Sequence, residues 1–190
     1  MAVNKSAFAW ALTPLQKYAQ FSGRAPRAEF WWFTLFMLLA YVAIWFLVIG
    51  SVGGMAAAGA EPSAGMFGAM GAGMIFILLF WLALIIPTIA VGVRRLHDTN
   101  RSGWWLGGFY ALYAVYMAMS FGTVMSAGLN PAAAPEPNMG ALGITMILGL
   151  VMLIYTIVLL VFYCLPGTPG PNNYGPDPYG AHENLEGVFS

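Results

Sequence analysis

Any chemistry in this chain has to come from two short stretches. The first is Phe21-Ser-Gly-Arg24-Ala-Pro-Arg27-Ala-Glu29-Phe-Trp-Trp32, and the second is Arg94-Arg95-Leu-His97-Asp98-Thr-Asn-Arg101-Ser102-Gly-Trp-Trp105. Together they hold Arg24, Arg27, Arg94, Arg95 and Arg101, with Glu29, Asp98 and His97 among them. A neighbouring histidine and aspartate are part of a metal-dependent phosphohydrolase site, but such a site needs several more His or Asp ligands. The chain has one other histidine, His182, and few acids near the pair. A Ser-His-Asp triad fits no better, because adjacent residues rarely aim at each other and no nucleophile elbow is present. The plainer expectation is a turn pinned by Asp98, with His97 and Ser102 making polar contacts across it. No catalytic residue, metal site or cofactor is expected.

The arginines support a second kind of chemistry. Just outside a lipid bilayer they can grip phosphate headgroups, while tryptophan pairs set the depth of the helices that follow. Glu29 is a lone acid at a membrane boundary, where an unpaired carboxylate is unfavourable. It is therefore expected to pair with Arg94 or Arg95, and Asp98 with Arg24 or Arg27.

These charges belong to a membrane protein. Only 7% of the residues are charged and 60% are hydrophobic, with a mean hydropathy of +0.75. A soluble domain carries about a quarter charged residues, so lipid has to solvate most of this surface. The net charge is zero, which argues against nucleic acid as a partner. The single cysteine, Cys164, allows neither an intrachain disulfide nor a thiolate zinc cluster. The chain start does not resemble a cleaved signal, since Pro14, Gln16 and Lys17 interrupt it.

The expected fold class is all-α, a polytopic membrane protein. Four stretches meet the ~20 apolar residues a crossing requires: about 30–52, 74–93, 104–127 and 141–165. They make a transmembrane domain over 30–165, preceded by an amphipathic segment over 1–29 and followed by a Pro/Gly-rich tail over 166–190. Lys5, Lys17, Arg24 and Arg27 precede the first span, and Arg94, Arg95 and Arg101 lie at the second connection. The other two connections hold no basic residue. The positive-inside rule then puts both termini in the cytoplasm of a bacterial inner membrane.

Within the first segment, Thr13 reads as an N-cap and Pro14 as the first residue of an interfacial helix. Leu15, Tyr18 and Ala19 would share its apolar face. Pro87 predicts a kink in the second span. In the tail, Pro166 to Pro178 cannot continue a helix. It is either a flexible extension or a segment that folds Tyr174 and Asp177 back onto the basic loop.

Both clusters, with Gly167-Thr-x-Gly-x-Asn-x-Tyr-Gly-x-Asp-Pro178 in the tail, resemble the YhaH-like family of small bacterial inner-membrane proteins, a domain of unknown function. The resemblance brackets about residues 13–178. It departs at Asn173, where family members usually carry a basic residue. It implies a small polytopic inner-membrane protein with an ordered tail, and no activity.

The leading expectation is a non-enzymatic module in the phospholipid bilayer. It would bind anionic lipids, a partner membrane protein or a second copy of itself through Arg24, Arg27, Arg94, Arg95 and Arg101. One alternative is an enzyme on a lipid-linked substrate, with His97 and Asp98 as acid and base. Another is a small transporter or channel, for which Thr34, Thr88, Ser120, Thr123, Thr145 and Thr156 are the polar side chains within the spans.

Overall fold

The computed structural model describes residues 6–57, 64–128 and 139–179. Its five helices are α1 (Ala7–Gln16), α2 (Arg27–Ala57), α3 (Ala64–Asp98), α4 (Trp104–Gly128) and α5 (Met139–Cys164). The described residues form no strand beyond an isolated Asn172–Gly175 bridge. Lys5, His182 and, within the two loops without basic residues, residues 58–63 and 129–138 lie outside the described residues.

Three helices are long and apolar enough to cross a membrane, over Arg27–Gly50, Met70–Asp98 and Leu142–Cys164. Four such spans are expected from the sequence. Helix α4 has the length, 25 residues or roughly 37 Å at ~1.5 Å per residue. Among the described residues it falls short in apolarity, because Gly107, Gly108, Tyr110, Tyr113, Tyr116 and Ser120 dilute its leucines and alanines.

Helix α2 packs on α3, and α4 packs on α5. The two pairs meet less extensively, mainly through α3 against α4 and α5, with Phe30 of α2 reaching Tyr163 of α5. Two small apolar clusters mark these seams. Ala25, Phe33 and Val91 fill the first, and Leu96, Leu106 and Leu159 the second. Outside them, large apolar side chains such as Phe46, Leu47, Met146 and Ile147 stand on the outer helix faces. In water such a surface would aggregate, whereas in lipid it is solvated.

The N-terminal helix differs from expectation in position and character. It starts at Ala7, where the Ser6 hydroxyl accepts from the Ala9 amide, and ends near the point where it was expected to begin. Thr13 is no cap, because its hydroxyl donates to the Ala9 carbonyl within the helix. Pro14 lies inside the helix, near its end. The helix carries no charge and packs against α2 and α3, with Ala11, Thr13 and Pro14 buried.

Pro87 explains a contact just beyond α1. Lacking an N–H, it leaves the Ala83 carbonyl without its helical donor. The Tyr18 hydroxyl supplies one at 2.7 Å. Ala83 is eleven residues before Arg94, roughly 16 Å along α3, so this contact lies well away from the charged end of that helix.

Candidate functional site

The sequence-predicted cluster residues converge at one end of the molecule, where α2 and α4 begin and α3 and α5 end. The last turn of α3 sets Arg95 and Asp98 three residues apart on one face. The Asp98 carboxylate is shared between Arg95 Nη1 and Arg24 Nε, the latter at 3.0 Å. Arg24 also donates to the Thr168 and Gly170 carbonyls, both at 2.6 Å. Arg95 also donates to the Tyr163 carbonyl at 3.2 Å and to that of Leu165.

Helix termini account for this pattern. The last carbonyls of a helix have no partner within it, and cations are favoured there. At the end of α5, Arg95 serves Tyr163 and Leu165, and Arg27 Nε serves Leu165 at 3.0 Å. At the end of α3 the tail does the same work. The Thr168 amide donates to the Asp98 carbonyl at 2.9 Å, and Asn172 Nδ2 to that of His97 at 2.8 Å.

A second ion pair lies on the α1 side. Arg94 Nη1 donates to Glu29 at 2.6 Å, with both side chains 1% exposed. Lys17 Nζ approaches the other Glu29 oxygen at 3.5 Å. The Ala25 amide donates to the Arg94 carbonyl at 3.0 Å, tying the loop before α2 to α3. Arg94 Nε and Nη2 are buried without a hydrogen-bond partner among the described residues.

The other candidates sit at the edge. Arg27 is exposed and makes one hydrogen bond among the described residues. Arg101 lies with its guanidinium carbon 4.1 Å from the centre of the Phe162 ring and reaches the Thr99 carbonyl at 3.3 Å. The Ser102 hydroxyl accepts from the Trp104 amide at the start of α4. His97 stacks face to face on Tyr174, ring centres 3.8 Å apart, and its Nδ1 lies 3.2 Å from the Gly23 carbonyl.

Glu29 therefore stands against Arg94, while Asp98 stands between Arg24 and Arg95; Arg27 meets a backbone carbonyl. The tail folds back through Tyr174. Asp177 does not reach the basic loop: it accepts from the Gly170 and Tyr179 amides of the tail itself. The sequence motifs include Thr168 and Asn172, and Lys17 counts among the basic residues before the first span, but the contacts these three make were not foreseen from the sequence. For the two tail residues the signal was faint, since polar residues in a Pro/Gly-rich run are also what a solvated tail contains.

His97 and Asp98 face different partners, and each is engaged in holding segments together. The enzymatic alternative gains no support from this geometry. The knot binds four parts of the chain into one layer: the loop before α2, the end of α3, the end of α5 and the tail.

Residues 18–176 match the model of a family described as "Protein of unknown function (DUF805)". The chain is 32% identical over 169 residues to inner membrane protein YhaI of Escherichia coli strain K12, covering 89% of this chain and 94% of that protein. It is 30% identical over 169 residues to inner membrane protein YhaH of the same strain, covering 89% and 95%. No solved structure matches it.

Proposed function

The chain belongs to the DUF805 family of inner-membrane proteins, and on that premise we propose that it is a non-enzymatic module holding anionic phospholipid headgroups at a basic cytoplasmic face. It crosses the bilayer four times, with both termini in the cytoplasm. The fourth crossing is α4. Its first residue lies at the charged end, its partner α5 returns to that same end, and its length suffices for a hydrocarbon core of ~30 Å. The orientation rests on the placement of every basic residue at or before the start of α2, in the last turns of α3, or between α3 and α4.

The observation that carries the headgroup reading is how the cations divide. Arg24, Arg94 and Arg95 are buried and bound to protein oxygens. They hold the face together and do not offer it outward. Arg27 is exposed, and Arg101 and Lys17 are half-buried at the edge. Three cations of this kind at a cytoplasmic surface contribute roughly 1 kcal/mol each toward anionic lipid.

The test is native mass spectrometry of protein released in mild detergent, with analysis of the lipids that remain bound. Wild type is expected to keep phosphatidylglycerol or cardiolipin, and the Arg27→Gln, Arg101→Gln double variant to lose most of it. Equal retention by both would refute the reading and turn attention to a partner membrane protein. Arg95→Gln is unsuitable here, because it removes a partner of the buried Asp98 and the Arg95 donors to Tyr163 and Leu165 at the end of α5.

A further inference from the structure

Between the two helix pairs, just inside the charged layer, lies a cavity of about 340 Å3. That volume falls in the range of about 300–1,000 Å3 typical of ligand pockets. Helices α2, α3, α4 and α5 all contribute to its wall, including Thr34, Thr88, Val91, Phe109, Thr156 and Leu160. Thr34, Thr88, Thr156 and Leu160 are exposed, so the cavity opens toward the surroundings of the helices. In a bilayer those surroundings are acyl chains.

The wall is apolar despite its three threonines. Each hydroxyl donates to a carbonyl of its own helix: Thr34 to Phe30 at 2.8 Å, Thr88 to Leu84 at 2.6 Å and Thr156 to Met152 at 2.8 Å. What the threonines present to a guest is mainly methyl surface. That suits a hydrocarbon chain and gives a hydrated solute little to bind.

Above the cavity the chemistry changes within one turn. Phe30 and Tyr163, ring centres 4.4 Å apart, belong to its wall at the charged end. Arg27 sits three residues before Phe30 on the same side of α2 and is bonded to Leu165, two residues after Tyr163. On its other side Arg27 borders a second cavity of about 410 Å3, lined by charged and polar side chains of Arg24, Asp98, Thr168, Asp177 and Tyr179 together with tail prolines. Two acids face this space. Asp98 is already matched by Arg24 and Arg95, and Asp177 accepts two backbone amides. Arg27 remains as the exposed cation.

We infer that this is a single phospholipid site: one acyl chain occupies the apolar cavity between the helix pairs, and the lipid phosphate rests on Arg27 at its rim. The inference rests on the headgroup reading above and narrows it to one cation and one chain pocket. Arg101 and Lys17 contribute to the field of the surface and touch neither cavity.

The experiment titrates the delipidated full chain in maltoside detergent with phosphatidylglycerol, phosphatidylcholine or glycerol 3-phosphate, reading bound species by native mass spectrometry. Wild type should bind one phosphatidylglycerol tightly. Filling the cavity with Thr88→Phe and Thr156→Phe should weaken that binding at least tenfold, with helix content by circular dichroism unchanged. Leu160→Trp, at the open mouth, should act in the same direction and serves if the double variant misfolds. Arg27→Gln should weaken phosphatidylglycerol tenfold and phosphatidylcholine less.

Wild-type affinity in both filled variants overturns the chain site, and the headgroup reading survives if Arg27→Gln still weakens binding. Absence of bound phosphatidylglycerol on wild type overturns both. Competition by glycerol 3-phosphate at equal concentration assigns the rim to a soluble phosphate, and a wild-type dimer that the filled variants convert to monomer assigns the cleft to a second copy. Either result overturns the lipid site.

Discussion

Asp98 shows how much one side chain decides in a low-dielectric layer. It neutralises two buried arginines, which in turn supply donors to the end of α5 and to the tail. A buried charge left without its partner is strongly destabilising, by about 3–5 kcal/mol. Asp98→Asn is therefore expected to lose stability of that order in thermal unfolding of the detergent-solubilised chain. Arg101→Gln, at the edge, should stay within about 0.5 kcal/mol of wild type. Gly167 adds a steric requirement. A Cβ there would stand on the Asp98 carboxylate, so only glycine lets the tail approach so closely. Gly167→Ala should release the tail without melting the helices, read as faster proteolysis after Leu165 at unchanged helix content. Among the cluster residues the sequence marked the charged groups as a set. It left open which cation meets which acid, because that depends on distances between segments as far apart as Arg24 and Gly170.

At the level of the elements, the coupling of Pro87 to Tyr18 is the most specific feature. A carbonyl with no donor inside a membrane is unfavourable, and neighbouring side chains supply the missing bond. Tyr18→Phe should thus cost about 1–3 kcal/mol. In a Pro87→Ala background, where the restored N–H can serve Ala83, the same change should cost little. A double-mutant cycle on unfolding measures this coupling directly; additive effects would mean that the tyrosine does not serve that carbonyl. A kink at Pro87 was expectable from the sequence, whereas the hydroxyl that serves Ala83 from 65 positions earlier in sequence was not. The misplaced start of α1 has a similar origin. Ser6 and Thr13 both have capping side chains, and the choice fell to the helix that could pack Ala11 and Pro14 against α2 and α3.

For the molecule as a whole, the two helix pairs are joined mainly at the charged end and separate around the lateral cavity. The knot therefore holds the pairs at a fixed spacing and keeps that cavity available. The same arrangement bears on the proposed topology, in which α4 runs beside α5 to the far side. A cysteine placed within residues 129–138 of a Cys164→Ala chain should react with an impermeant maleimide added outside spheroplasts. One at Asn173 should react only after lysis. Labelling of both from the same side would remove the fourth crossing.

What the sequence determined by itself is the solvent and the class. Sixty per cent hydrophobic residues with 7% charge require lipid, and long apolar runs in lipid require helices, because each must satisfy its own backbone. The family was also legible, since its motifs are local strings of residues. Tertiary structure decided the roles. Five arginines that look alike in sequence divide into buried struts and edge cations only when α3, α5 and the tail are brought together. Thr34, Thr88 and Thr156, which read as part of a thin polar path, become a methyl wall once each hydroxyl turns back to its own helix. Burial and hydrogen-bond partners are properties of neighbours in space, and a string of residues does not carry them.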